Sequence, residues 1–138
     1  MKRVAKLILV NNDDEHLMLY RSDHPFFPGD PDLPGGTLNE NEEPIPALIR
    51  EVSEETGVVL DKKVIEKLRE SNTCDKGYTY YLYRATCGSE PDISISWEHD
   101  RYEWLTLNNF IIKTHTANDK YMHMVYDYLS RNNSRPVH

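Results

Sequence analysis

Apolar residues fall along this chain in two rhythms. Near-continuous runs come first: residues 6–10 and 17–21 flank a polar turn over 11–16 and read as two strands. Residues 22–32 contain Pro25, Pro28, Gly29 and Pro31, which breaks both rhythms and predicts a loop. A helical period then takes over after Glu43. Ile45, Leu48, Ile49 and Val52 share one arc of a wheel, which predicts a helix ending at Thr56 with Gly57 as its C-cap. Pro44 and Pro46 fall in its first turn, where missing backbone N–H groups lose no intrahelical partner. Strand patterning returns at Val58-Val59, over 64–71 and over 78–85, the last two joined as a hairpin through 74–77, and again at 103–105. A last helix, capped by Thr116 or Asn118, runs to about Leu129 with Met122, Val125 and Leu129 on one stripe. The polar tail 131–138 reads as frayed. With no repeat, linker or low-complexity tract, residues 1–138 read as one layered α+β or α/β domain.

Charge narrows the function. Sixteen Lys and Arg stand against 23 Asp and Glu, a formal net charge of −7. That excess argues against long nucleic acids, whose non-specific binding rests on phosphate neutralisation. It leaves room for a small nucleotide arriving with a divalent metal. No stretch approaches the ~20 apolar residues of a membrane span, and the basic start followed by a short apolar run reads as a first strand rather than a signal peptide. Cys74 and Cys87 are too few for a disulfide framework and read as reduced thiols of a cytoplasmic protein.

The candidate chemistry lies on the first helix. Glu51, Glu54 and Glu55 share a second arc, placed off the apolar stripe, and Glu51 and Glu55 form a repelling i, i+4 pair. Three carboxylates on one patch supply hard oxygen ligands for Mg²⁺ or Mn²⁺; taken alone, the patch also reads as a solvated acidic face.

The wider spacing is Gly36-x5-Glu42-x7-Arg50-Glu51-Val52-x-Glu54-Glu55-x-Gly57-Val58. It resembles the signature of the Nudix hydrolase family, with every defined position filled by the expected residue type over 36–58. The resemblance implies an α/β fold: a three-layer α/β/α sandwich with a mixed sheet, in which the signature forms a loop–helix–loop catalytic motif. It implies hydrolysis of nucleoside diphosphate-linked substrates with Mg²⁺, or Mn²⁺ as a substitute. In that pattern Glu51, Glu54 and Glu55 hold metal, Arg50 braces them, the Gly35 carbonyl is a further ligand and Glu42 is a structural acid. One departure is Glu43-Pro44-Ile45-Pro46, where relatives often place Thr or Ser before a single Pro; a first-turn carboxylate remains favourable there.

Beyond the signature the chain is similar in order and spacing to MutT-type nucleoside triphosphate pyrophosphohydrolases. That likeness implies a further metal-site acid before a Trp-bearing strand: Glu98, six residues before Trp104, with Asp100 and Glu103 as rivals. It implies phosphate contact by Arg21, which also reads as a surface salt-bridge residue. It implies a base pocket lined by Leu33 and an Asn that bonds purine, matched by Asn118 with a one-residue shift. Tyr78, Tyr80, Tyr81 and Tyr83 could stack a base, though strand packing is the stronger reading. His24, His99, His115 and His123 form no metal pair and read as ordinary polar residues. A nucleoside triphosphate cleaved to monophosphate and pyrophosphate leads as substrate. ADP-ribose, nucleotide sugars, dinucleoside polyphosphates, and a binding module without turnover are the alternatives.

Overall fold

A computed structural model of the chain describes residues 1–22, 26–88 and 91–133; His24 and most of the tail lie outside them. Among the described residues seven strands form one mixed sheet: β1 (Lys2–Val10), β2 (His16–Arg21), β3 (Pro31–Asp32), β4 (Gly35–Thr37), β5 (Glu66–Ser71), β6 (Tyr78–Thr86) and β7 (His99–Leu105). Among the same described residues three α-helices accompany them: α1 (Pro44–Thr56), α2 (Leu107–Thr116) and α3 (Lys120–Asn133). The central strand β1 runs parallel to β6 from Lys2↔Tyr78 to Val10↔Thr86, and β5 pairs antiparallel outside β6. The other edge of β1 is divided. β4 takes it antiparallel at residues 4–6, while β2 meets it only at Val10↔His16. β2 then carries β3 and β7.

The apolar run of β1 is explained by burial on both faces. Val4, Ile8 and Val10 point into a core completed by Tyr80, Leu82, Phe110, Tyr121, Met122 and Val125, under α2 and α3. Ala5, Leu7 and Leu9 point into a second core with Leu48, Val52, Tyr83 and Ala85, under α1. A strand covered on both sides reads as continuous apolar sequence, because neither alternate set faces water. The layers are therefore helix, sheet, helix, as in the α/β/α sandwich. No helix among the described residues is long and apolar enough to cross a membrane.

Helix α1 begins and ends where local chemistry dictates. Glu43 is its N-cap without a side-chain bond, Pro follows in the first turn, and Gly57 ends it at φ +79 while donating to the Ser53 carbonyl at 2.9 Å.

Several expected elements differ. Val58-Val59 is not a strand: Val58 is buried in the α1-side core while Val59 is 81% exposed, and a 3-10 turn at Lys62–Val64 precedes β5. The expected last helix is α3, and a further helix that the pattern did not predict, α2, precedes it across 117–119. Thr116 closes α2, its hydroxyl donating to Lys113, and Asp119 caps α3 by accepting from the Tyr121 N–H at 3.1 Å. Neither Thr116 nor Asn118 is the cap. The stripe of Met122, Val125 and Leu129 is buried as expected, but α3 runs on to Asn133, into the segment read as frayed. Cys74 lies 3.0 Å from the Ser71 hydroxyl and Cys87 donates to the Val10 carbonyl at 3.5 Å, so the thiols have separate partners.

Candidate active site

A cleft of about 530 Å³ opens where the β1 edge changes partner from β2 to β4. One wall is the signature. Gly35, Gly36 and Thr37 run along β4, and Glu51 and Glu55 reach it from α1. Glu98 arrives from the turn before β7, while Asp100 and Glu103 do not line the cleft. Glu103 is instead engaged by Tyr20 and Arg101.

Gly35 permits this geometry. Its φ is +132, and a Cβ there would lie 2.2 Å from the Ala5 carbonyl oxygen and 2.6 Å from Lys6 Cα. Only glycine lets β4 approach β1 so closely. At Gly36 a Cβ would meet Glu51 Oε2 at 3.2 Å, so the glycine pair also clears space for that carboxylate.

The three helix acids have different environments. Glu55 follows Val52 by three residues and Leu48 by seven, which sets it on the edge of the apolar stripe rather than off it, as the wheel reading had placed it. It is only 4% exposed. The Gly35 N–H donates to its Oε1 at 2.7 Å, yet burial pushes its carboxyl up to about 8. Glu51 is half-buried and accepts from Arg50 at 3.1 Å; burial raises its carboxyl above the usual range against the pull of Arg50. Glu54, one residue before Glu55, points about 100° away from it. Its side chain is 59% exposed, its nearest cation is Arg50 at 3.5 Å, and it does not line the cleft. Arg50 braces the group from outside. Its Nε and Nη2 each donate to Glu42 at 3.0 Å, a bidentate fork that explains why the signature carries an acid at that place.

The floor is a network the sequence reading missed. Asp32 accepts from Lys6 Nζ at 2.6 Å, lies 3.0 Å from His99 Nε2 and 3.6 Å from Arg21 Nε, and accepts from the Leu33 N–H at 2.9 Å. Burial alone would raise the Asp32 carboxyl. Lys6, the His99 bond and Arg21 outweigh it and hold it far below the carboxylate range. His99 is thus not an ordinary polar residue; it is 4% exposed and joins β7 to β3. A signal was present for Lys6, a lone cation within an otherwise apolar strand. Sharing the side of Val4 and Ile8, it needs a buried counter-charge.

Three proposed substrate contacts change place. Arg21 lines the cleft, but its Nη2 is 2.6 Å from Asp119 and its Nη1 donates to the Phe26 carbonyl at 3.1 Å, so it is also an internal tie. Leu33 is fully buried in the core with Met18 and Phe110 and presents no surface to the cleft. Asn118 faces Asp30, to which its backbone N–H and Nδ2 donate at 2.7 and 2.9 Å, and its neighbour Asp119 lines the cleft instead. Asn118→Ala is therefore expected to cost about 1.5 kcal/mol of stability in denaturant melts, the scale of a bond to a charged acceptor. Purine and pyrimidine substrates should be affected equally; a selective loss of purine affinity would return Asn118 to base recognition. Tyr78 and Tyr80 line the cleft, whereas Tyr81 and Tyr83 pack on the α1 side.

Glu51, Glu55 and Glu98 are hard oxygen donors of the kind Mg²⁺ and Mn²⁺ take. As the side chains stand, no three His, Cys, Asp or Glu among the described residues are grouped to hold a metal ion. Arg50 donates to Glu51 at 3.1 Å and the Gly35 N–H to Glu55 at 2.7 Å. A buried carboxylate whose charge is disfavoured by burial is the donor that gains most from a cation, so the donor set fits the ion.

The NUDIX domain family model matches residues 1–125. Among solved structures, the MutT protein from Methanosarcina mazei Go1 is similar with a TM-score of 0.74 and 24% identity, covering 96% of this chain and 95% of that one. A C. elegans Ap4A hydrolase binary complex gives 0.69 and 20%, covering 97% and 96%. The NUDIX domain of Shewanella oneidensis NrtR complexed with ADP ribose gives 0.69 and 22%, covering 96% and 88%. No curated protein matches the chain in sequence. The three structural likenesses establish a common fold, and a family match that takes in the sheet, the glycine pair, α1 and the Glu98 turn leads to one conclusion: the chain belongs to the Nudix family.

Proposed function

We propose that this Nudix pyrophosphohydrolase cleaves a nucleoside diphosphate-linked substrate, led by a (deoxy)nucleoside triphosphate going to monophosphate and pyrophosphate. The observation that carries the reading is the meeting of Glu51, Glu55 and Glu98, from two distant segments, beside the glycine pair in one cleft. Charge supports it. The lining holds the carboxyls of Asp32, Glu51, Asp75, Glu98 and Asp119 against the cations Lys6 and Arg21, five to two without Glu55, whose charge burial disfavours. A polyphosphate entering that field needs accompanying cations.

Glu51, Glu55 and Glu98, with the Gly35 carbonyl, would hold Mg²⁺ or Mn²⁺. Such an ion, when bound, neutralises phosphate charge and lowers the pKa of water. The protein's own groups then orient and deprotonate. Arg50 fixes Glu51 through Oε1, leaving Oε2 on the Gly36 side to accept a proton from the attacking water. Glu98 is the second carboxylate within the cleft able to take that role. The Gly35 N–H keeps Glu55 aimed at the glycine turn.

The test is a Mg²⁺ hydrolysis screen over nucleoside triphosphates, ADP-ribose, dinucleoside polyphosphates and nucleotide sugars. Triphosphates should yield pyrophosphate, and in ¹⁸O water the label should enter pyrophosphate, marking attack at the β-phosphorus. Label in the monophosphate would place attack at the α-phosphorus. Preference for ADP-ribose or a dinucleoside polyphosphate would change the substrate, and no turnover of any would leave a nucleotide-binding module. The same donors predict linkage: Mg²⁺ should raise Tm, because a cation bound only by the folded geometry shifts unfolding by mass action. The Glu51→Gln, Glu55→Gln double variant should lose most of that rise in calorimetric melts. A full rise in that variant would move the metal elsewhere.

A further inference from the structure

Lys6 on β1, Arg69 on β5 and Arg84 on β6 all project toward the layer of α2 and α3. Lys6 pairs with Asp32 at 2.6 Å, and Arg69 with Asp127 of α3 at 3.0 Å. Arg84 differs. It alternates along β6 with Tyr80 and Leu82, so its side chain leaves the strand on the face of their core, where it is half-buried. Among the described residues its guanidinium has neither a hydrogen bond nor an ion pair. Glu66 stands opposite it in register on β5 and Asp14 shares its cavity, yet neither carboxylate comes within ion-pair distance.

That cavity holds about 430 Å³ and shares no lining residue with the cleft. Ile8, Leu68, Leu107, Tyr128 and Leu129 give it an apolar wall. An arginine that only lays its stem over apolar surface closes the space it covers; here the space stays open beside the guanidinium. An apolar hollow of this size with a few convergent polar groups is the usual form of a small-molecule site. The remaining polar groups narrow the charge of what fits. His16 is 7% exposed, and its Nδ1 faces the Leu105 carbonyl at 3.3 Å, which requires the proton there and leaves Nε2 an acceptor. Burial lowers its pKa, so the ring stays neutral. Arg84 is then the sole positive charge among the described lining residues, against the one negative charge of Asp14. A monoanion matches the guanidinium, whereas a phosphate dianion would bring surplus negative charge up to Asp14.

We propose that this cavity is a second binding site, which takes a small monocarboxylate with an apolar body: Arg84 holds the carboxylate, and Ile8, Leu107 and Leu129 receive the hydrocarbon. The planar donors of a guanidinium match the two carboxylate oxygens as a fork. The proposal stands apart from the nucleotide reading, because no residue of the cleft takes part in it.

The test uses the full chain, with hexanoate and its uncharged twin hexanamide as probes, read by calorimetry and by ¹H–¹⁵N NMR shifts. Hexanoate should bind saturably, moving the amides of Ile8, Leu68, Arg84 and Leu129 and leaving those of Glu51 and Glu98 in place. Hexanamide should bind at least about tenfold more weakly, the scale of losing a bond between charged groups. Arg84→Gln should erase the difference between the two probes and leave Tm unchanged, because the guanidinium has no partner within the fold to lose. Leu107→Trp, which adds bulk to the wall and keeps Arg84, should weaken both probes. Equal affinity for the two probes in wild type, undiminished hexanoate binding in Arg84→Gln, or no saturable hexanoate binding at all overturns the site. Shifts centred on the cleft overturn it too, since they would put the carboxylate at Lys6 and Arg21 instead.

Discussion

Glu55→Gln is expected to lower kcat by at least about a hundredfold at saturating Mg²⁺, roughly 2.7 kcal/mol of transition-state stabilisation. The substitution is nearly isosteric, and the amide oxygen can still accept from the Gly35 N–H, now 2.7 Å from Glu55 Oε1. The glycine turn and the packing of α1 are thereby kept, and the change removes a formal charge from the most buried of the three helix acids. Glu54→Gln is the matched comparison. It deletes the same charge one residue away, from a side chain that is 59% exposed and outside the cleft, and should cost far less. Steady-state kinetics on both variants decide the point. Near-normal turnover in Glu55→Gln would remove α1 from the catalytic site. Equal damage from Glu54→Gln would mean that the patch acts through its overall charge and not through the two acids that line the cleft.

That contrast also shows which features were legible in the sequence. The start and stop of α1 are local: first-turn prolines and a left-handed Gly57 act within a few residues, so pattern alone places them. The double burial of β1 follows from its unbroken apolar run. The spacing of Glu55 from Val52 and Leu48 already sets it apart from Glu54, but a wheel gives direction around the helix and not what the direction meets. The meeting of α1 with β4 gives Glu55 its partner, the Gly35 N–H. The start of the last helix was placed within a few residues and only its cap was wrong, since Asp119 caps by its side chain while also holding Arg21, whereas α2 went unread. Asn118 and Leu33 stand outside the cleft lining for one reason. Order along a resemblance fixes which segment arrives at the site, but a shift of a single residue turns a side chain to another face. Lys6, Asp32 and His99 come from β1, β3 and β7, 26 and 67 residues from Asp32 along the chain, and no local rule joins them.

Asp32→Ala is expected to cost about 3–5 kcal/mol of folding stability, the scale found when one partner of a buried ion pair is removed. Lys6 Nζ is 2.6 Å from Asp32, and both side chains are almost fully buried, at 9% and 8% exposure. Without Asp32 the ammonium keeps its desolvation penalty and loses the contact that offsets it. His99, whose Nδ1 already lacks a partner, would also lose the bond at Nε2. Adding Lys6→Met should recover much of the loss, since an apolar side chain leaves no charge to compensate. Urea unfolding of wild type, single and double variants measures this directly, and a single variant within about 1 kcal/mol of wild type would show that the network contributes no more than an average surface site. The pH dependence has a fixed sign. The Asp32 carboxyl is held well below its ordinary 3.8 in the folded protein. Its contribution is therefore complete above that value and is lost as pH falls below it, because the unfolded chain takes up the proton first. The wild type should lose stability steeply below about pH 4, and Asp32→Ala should show a shallower acid limb from its lower plateau. Parallel acid limbs in the two proteins would mean that Asp32 titrates as it does unfolded, leaving the buried Lys6 to be neutralised by some other carboxylate of the cleft.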